Sequence, residues 1–579
     1  MNAILFVFLR RLHVPLIVLI SVYAISVLGF VLIPGVDDQG NPWRMDFFHA
    51  FYFVSYMGST IGFGEIPYAF TGAQRMWATF SIYATVISWL YAIGYLLTIV
   101  QDPALRNLLT EHRFRRGVRR ISEPFYLICG YGDTGNFLVR ALNEAGIRAV
   151  VVEIDQGRVN QLELEGYNTY VPGLCADASV PGNLIKAGLQ NLDCAGVVAL
   201  TNHDAVNLKI AITSKLLNSG LRTIARAETH DVEKNIASFG TDHIINPFDT
   251  FAGRLALALH SPGMYLLYEW MTSVPHEPLR EPVFPPTGRW ILCGYGRFGK
   301  AVHERLKAEG ITTTVIEATP ERTGTPSDGV VVGRGTEADT LHEADIQHAV
   351  GLVAGTDDDA NNLSIVMTAR SLNPDLFTVL RQNGRANDVI FNAVQSDLIM
   401  QRGSIIAHKI FAVITYPLLT VFLRLARRHD DDWANQLISR IGGIAGDEAP
   451  HVWMLTLDEK NAPAVHTVLE SGEVLTVQNI ITDPHDFPRT LPLIVLLIKR
   501  PGNEAEQEIL LPAGQEPLQS GDQLLLCGRF GSQSSVEWLV ANLNVLEYAL
   551  YGEDRPAGTI WRRWARRNGP PENSTGKPV

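Results

Sequence analysis

The chain has 579 residues, 46% of them hydrophobic and 19% charged, with a net charge of −12. That length exceeds a single hydrophobic core and points to about three or four folded units. The acidic balance gives no footing for nucleic acid, and the five cysteines (Cys129, Cys175, Cys194, Cys293 and Cys527) form neither a CxxC pair nor a metal-ligand spacing; Cys129 and Cys293, each in an apolar run just before a glycine loop, read as buried reduced thiols.

Val14 to Ile33 is a run of twenty uncharged residues, and Met76 to Val100 a run of twenty-five. About twenty apolar residues cross the hydrocarbon layer, so each predicts a membrane helix within a first unit over 1–100. A cleaved leader would have a shorter core and a small-residue site, whereas this run continues into Leu32-Ile33-Pro34-Gly35. Arg10 and Arg11 precede the first span. Arg106, Arg113, Arg115, Arg116, Arg119 and Arg120 follow the second, in a basic linker over 101–120, while the loop between spans holds only Arg44 and Arg75. The bias predicts an inner-membrane protein with both termini and the soluble remainder in the cytoplasm. No arginine-repeat helix appears, which excludes a voltage sensor of the usual kind.

Between the spans, over 46–67, Phe47 to Met57 is apolar but too short to cross and suits a re-entrant helix. Ser59-Thr60-Ile61-Gly62-Phe63-Gly64-Glu65 follows. Glycines at alternate positions permit backbone angles that turn successive carbonyls toward one axis, and four such loops can replace the hydration shell of K⁺. Thr60 would add its hydroxyl at the inner end. Thr60 to Glu65 resembles the potassium-channel signature TVGYGD. Ile61 keeps the β-branching, Glu65 keeps an acid at the outer mouth, and Phe63 lacks the hydroxyl that would anchor the filter to the pore helix. The resemblance implies K⁺ as the permeant ion and a homotetramer in the bilayer. In the second span, Gly94 is either a gating hinge or a site of close helix packing.

The soluble part repeats itself. Residues 126–155 and 290–319 match at ten of thirty positions, each reading apolar strand, GxGxxG, helix, apolar strand, acid. In Gly130, Gly132, Gly135 and again in Gly294, Gly296, Gly299, the first glycine allows a tight turn. The second admits a pyrophosphate, and the third lets helix and strand pack closely. The helix N-terminus favours the phosphate. Glu153, with Asp155 as the neighbouring alternative, and Glu317 stand where an acid binds ribose hydroxyls. Asp133 within the first loop would repel phosphate, whereas Arg297 in the second would attract it, which favours the second copy. The motif Gly196 to Leu208 recurs as Gly351 to Leu363, placing Thr201, Thr356 and Asp357 at strand ends where a ligand can be touched.

The repeat resembles the RCK domain, also called TrkA-N or KTN. The resemblance implies tandem α/β Rossmann-like domains over 121–280 and 288–445, with crossover helices at Asn246–Trp270 and His408–Arg428. A small α+β TrkA-C-like lobe follows over 446–552, and a disordered tail over 553–579. Joined to an α-helical two-span pore unit with a re-entrant loop, they imply a gating ring. NAD(H) suits the unphosphorylated ribose read by Glu153 and Glu317; ATP or ADP carry the same ribose. Ca²⁺ is a further candidate without an assigned site: Asp357-Asp358-Asp359 and Asp430-Asp431-Asp432 lack an EF-hand pattern and read as solvated or helix-capping acids. A membrane-bound NAD-dependent dehydrogenase would need a substrate domain for which the chain leaves no room. An accessory transporter subunit would not need the filter sequence.

Overall fold

The computed structural model describes residues 2–62, 67–101, 103–273, 281–446, 449–502 and 507–552, with side chains from Leu12 onward except at 100 and 103–108. The expected disordered tail, 553–579, lies outside the described residues, as do Phe63, Gly64 and Glu65. The chain divides into two compact units, Met1–Arg120 and Ile121–Val579.

The first unit is helical. Among the described residues, Asn2–Leu32 and Gly72–Gln101 each contain a single helical stretch long and apolar enough to cross a membrane, Leu12–Leu32 and Gly72–Ile99. They pack closely: Trp77 donates its indole N–H to the carbonyl of Ser26 at 3.0 Å, and Trp89 donates to the Tyr23 hydroxyl at 2.7 Å. A Cβ at Gly29 would overlap the Trp77 ring, so this glycine is needed for the contact. The twelve-residue helix Phe47–Gly58 is capped by Asp46, which accepts from the His49 N–H at 2.7 Å. The linker after the second span forms the helix Pro103–Val118.

The second unit holds two six-stranded parallel sheets and one four-stranded antiparallel sheet. In the first sheet the order is Gly173–Cys175, Arg148–Glu153, Phe125–Cys129, Cys194–Ala199, Arg222–Arg226, His243–Ile245. Val331–Val332, Thr312–Glu317, Arg289–Cys293, Gly351–Ala354, Phe377–Gln382 and Leu398–Gln401 repeat that order in the second. Strands buried on both faces explain the unbroken apolar runs such as Val150-Val151-Val152. The antiparallel sheet runs His451–Thr456, Gln523–Gly528, Leu493–Arg500, Gln507–Leu510.

The crossovers differ from the single helices expected. The first is two helices, Pro247–His260 and Pro262–Thr272; the second is Arg402–Thr415 and Pro417–Ala426, bent by 109°. Pro262 and Pro417 explain the breaks, because proline lacks the N–H that would continue a helix yet suits the first position of a new one. The second crossover also begins earlier, with Arg402 following directly on its strand.

Each crossover packs against the other copy. Phe248, Phe251 and Leu255 join the core around Trp290, Phe298 and Val302, while Ile406, Ile410 and Phe411 join the core around Leu138, Val139 and Leu142. The two Rossmann lobes are therefore interlocked by exchanged helices.

Candidate functional site

The helix Phe47–Gly58 leads, through Ser59, into Thr60. Thr60 N–H donates to Met57 O at 3.1 Å and Ile61 N–H to Tyr56 O at 3.1 Å. Thr60 has φ +62° and Gly62 φ +65°, and Ile61 between them is outside the positive-φ set. Alternation of hand along consecutive residues turns their carbonyls to one side, the arrangement a dehydrated cation needs. Glycine adopts a positive φ freely; for a β-branched threonine it is strained, which suits a functional constraint. The predicted filter residues Phe63, Gly64 and the mouth residue Glu65 lie outside the described residues. Gly94 sits within the continuous helix Gly72–Gln101, and a Cβ there would meet nothing within 4 Å. Within one protomer it is therefore not a packing glycine.

In the first Rossmann copy, Gly130 has φ +105°, and a Cβ there would press on the Leu200–Thr201 peptide at 3.1 Å. A Cβ at Gly135 would collide with the Gly130 carbonyl, whereas one at Gly132 would meet only the Arg158 guanidinium, at 3.5 Å. The second glycine thus keeps open a cleft of about 170 Å³, lined by Gly130, Gly132, Glu153, Arg158, Thr201 and His203. An adjacent cavity of about 410 Å³ shares Gly132 and Arg158 and reaches Arg385 of the second copy. Gly294 (φ +101°), Gly296 and Gly299 repeat the backbone pattern, with Gly296 free of neighbours and a Cβ at Gly299 colliding with the Gly294 carbonyl.

The acids are held from behind. Glu153 accepts from the backbone N–H of Tyr131 at 2.5 Å and of Asp155 at 3.0 Å; Glu317 accepts from Tyr295 at 2.6 Å and Thr319 at 2.8 Å. Burial pushes the Glu317 carboxyl up, but the N–H groups of Tyr295 and Thr319 outweigh it and hold it below its ordinary value. Each carboxylate oxygen keeps lone-pair capacity for a ribose hydroxyl. Asp155 does not take that place: it caps the helix Gln156–Leu164 by accepting from Gly157 N–H at 2.7 Å.

Thr201 and Thr356 serve a local scaffold. The Thr201 hydroxyl donates to Asn207 Oδ1 at 2.8 Å and that of Thr356 to Asn362 Oδ1 at 2.7 Å; each asparagine also donates to the carbonyl of Arg226 or Arg381. Asp357 pairs with Arg381 at 2.7 Å. Four more acids of the two clusters accept backbone N–H groups: Asp358 from Asn361, Asp359 from Asn383, Asp430 from Trp433 and Asp431 from Gly263.

Arg297 corrects the expectation drawn from its position in the glycine loop. Its guanidinium does not stand free for phosphate; it pairs at 2.5 Å with Glu228 of the first copy. Glu228 also binds Arg226 and, at 3.1 Å, Arg402. Burial raises the Glu228 carboxyl, yet the guanidiniums of Arg226, Arg402 and Arg297 prevail and hold it below its ordinary range. Asp133 likewise sits in the seam between copies, lining a small cavity with Gln401, Arg402 and Gly403. The residues that sequence reasoning missed are Arg158, Arg226, Glu228, Arg381 and Arg402. Arg226 and Arg381 stand at equivalent positions of the two repeats, 18 residues after Leu208 and Leu363, and that recurrence is a signal the sequence carries.

Among the cysteines only Cys175 is exposed, at the end of a strand beside the cleft. Burial drives the thiols of Cys293 and Cys527 up to about 12 and that of Cys194 to about 11. A maleimide at neutral pH is therefore expected to modify one thiol per native chain and all five after unfolding. Mass spectrometry with and without denaturant checks this; rapid native labelling of Cys129 or Cys293 would contradict the burial.

Comparison with known proteins follows the same division. Residues 17–102 match the Ion channel family, and residues 126–247 and 290–401 each match the TrkA-N domain. The chain is 24% identical over 204 residues to Potassium channel protein 1 of Methanocaldococcus jannaschii, covering 35% of this chain and 59% of that one. It is 25% identical over 215 residues to the Voltage-gated potassium channel Kch of Escherichia coli, covering 37% and 49%. To a Trk system potassium uptake protein TrkA homolog of Pyrococcus abyssi it is 33% identical over 137 residues, covering 22% and 60%. The chain thus spans about half to three fifths of the length of these relatives. Among solved structures, the GsuK Channel matches with a TM-score of 0.47 at 17% identity, over 93% of this chain and 100% of that one. The chain thus joins one segment that matches the Ion channel family to two that match the TrkA-N domain, in the order in which its two apolar helices and its two parallel sheets occur.

Proposed function

We propose that four copies of this chain form a potassium-selective pore in the inner membrane, opened or closed by a nucleotide bound to the cytoplasmic RCK domains. The observation that carries the pore is the alternation of backbone hand at Thr60 to Gly62, placed at the end of a helix too short to span and between two that are long enough. Phe47, Phe48 and Phe51 of that helix are exposed in a single protomer, an apolar surface that neighbouring copies would cover. The basic residues flanking the spans support cytoplasmic termini.

For the ligand, the first copy offers the open cleft. Gly132 admits a pyrophosphate, Arg158 supplies a positive charge beside it, and Glu153 faces a ribose without a 2′-phosphate. The adjoining cavity gives a dinucleotide more room than the cleft alone, which favours NAD(H) over ATP or ADP. A nucleotide that binds one arrangement of the lobes better than the other would shift the pore equilibrium by that difference in affinity, passed along the helix Pro103–Val118 to the second span.

Single-channel recording from the purified protein, under a K⁺/Na⁺ gradient with NAD⁺, NADH, ATP and Ca²⁺ added in turn to the cytoplasmic face, tests both halves. A reversal potential near that of K⁺ and an open probability moved by one nucleotide are expected. A poorly selective current would overturn the filter reading; a selective current indifferent to all nucleotides would overturn the ligand reading. Gly132→Val fills the phosphate approach and is expected to raise the half-effective nucleotide concentration at least about 30-fold, roughly 2 kcal/mol of binding.

A further inference from the structure

A cavity of about 940 Å³ lies within the second unit, between the helices Asp133–Glu144 and Arg402–Thr415 and the strand His451–Thr456, and none of the six loop glycines lines it. Three of its lining residues carry buried polar atoms without a hydrogen-bond partner: Thr415 Oγ1, His451 Nδ1 and Trp453 Nε1. Trp453 is 4% exposed. An unpaired buried polar group costs free energy, and three around one cavity are not explained by the packing of the fold.

The hydrogen-bond network fixes what two of them offer. Gln533 donates its amide nitrogen to Glu537 at 2.7 Å, which turns its oxygen toward His451 Nε2 at 2.6 Å. That oxygen accepts, so Nε2 carries the imidazole proton and Nδ1 is a bare acceptor. Trp453 Nε1 can only donate. An acceptor and a donor thus stand two residues apart on one strand face, with the His451 ring stacked on Trp453 at 5.5 Å and Phe530 edge-on to His451 at 5.8 Å. His451–Thr456 is also an edge strand. Leu457 N–H bonds to Asp522 O, so alternation turns the N–H and C=O of Val452 and Met454 toward the open edge, where both residues line the cavity. The cationic lining residue Arg140 is already paired with Glu165 at 3.1 Å, so the site has little to hold a phosphate.

We infer that this cavity binds a neutral, planar heteroaromatic ligand whose edge carries a ring-nitrogen acceptor beside an amino donor, the pattern of adenine or cytosine. The acceptor takes the Trp453 N–H, the amino group gives a hydrogen to His451 Nδ1, and the ring lies among the aromatic side chains. The exposed Phe530 ring borders the His451 side of the cavity. Because the walls come from the first Rossmann lobe, the second crossover and the C-terminal lobe, an occupant ties these three together. The site shares no lining residue with the 170 Å³ cleft and one, Arg140, with the 410 Å³ cavity beside it.

Isothermal titration of adenine, cytosine and N6,N6-dimethyladenine into the full-length protein in detergent, with NAD⁺ present at saturation, tests the inference. Adenine or cytosine is expected to bind at one site per chain. Dimethyladenine, which lacks the amino hydrogens, should bind about 10-fold more weakly, and Trp453→Phe should weaken adenine about 5- to 10-fold, as loss of one hydrogen bond predicts. Ala145→Trp, on the exposed rim, should abolish binding. Hydrogen exchange at the Val452 and Met454 amides should slow when adenine is added. Failure of both bases to bind at millimolar concentration, or binding unaffected by Ala145→Trp, would overturn the assignment. Protection of those amides that rises with protein concentration in the absence of base would show a second copy covering the edge, and would overturn it equally.

Discussion

Gly62→Ala is expected to reduce K⁺ flux at least about 100-fold while leaving the soluble unit folded. The native φ of +65° at Gly62 is open to glycine, and a Cβ there meets nothing within 4 Å in its own protomer. The penalty is therefore conformational rather than a clash inside the chain. Holding an L-residue in the left-handed region costs roughly 1–2 kcal/mol. Summed over the four copies of the proposed pore, that is about 4–8 kcal/mol, against the roughly 2.7 kcal/mol that corresponds to 100-fold in population. The filter would leave the carbonyl-aligned arrangement. Rubidium uptake into liposomes checks this, with circular dichroism and size-exclusion chromatography confirming that the variant folds and assembles. Flux equal to that of the native protein would place the conducting path elsewhere.

The second large effect is expected at Glu228. Its carboxylate is 6% exposed and engages Arg226, Arg402 and Arg297, two of them from the second copy. Removing one partner of a buried ionic cluster leaves the others uncompensated, at a cost of about 3–5 kcal/mol. Glu228→Ala should therefore lower the unfolding midpoint of the soluble unit markedly, and Glu228→Gln somewhat less. The pH dependence has a definite sign. The folded carboxyl lies below its ordinary value of 4.5, so its stabilisation is fully present above that pH and is lost as pH falls through the lower folded value. The gap between native protein and Glu228→Gln should be widest near neutrality and shrink below about pH 4.5. Urea unfolding at several pH values measures it; a gap independent of pH would assign the loss to packing.

Much of the architecture was legible in the chain. Two long uncharged runs dictate two spans, because backbone polar groups in lipid must be satisfied within a helix. The doubled glycine motif dictates two parallel sheets, because the first glycine must take positive φ and the third must touch the strand. Both are constraints within some thirty residues, where spacing alone carries the information.

What spacing does not carry is the partner of a long side chain. Arg297 occupies a loop position that faces phosphate in principle, yet it answers to Glu228, sixty-nine residues earlier in the chain. Asp155 and Glu153 are equally acidic in sequence, but one caps a helix and the other lines the cleft. The exchange of crossover helices is likewise invisible locally: Phe251 and Ile410 are apolar residues on amphipathic helices, and either sheet would bury them. Sequence alone determined the two long apolar helices and the two Rossmann lobes, since each follows from local geometry and the period of apolar residues. Only the tertiary structure decided which lobe each crossover covers, which charges neutralise one another across the seam, and where polar atoms stay unpaired beside the third cavity. Those choices depend on contacts between residues far apart in sequence, and no local pattern encodes them.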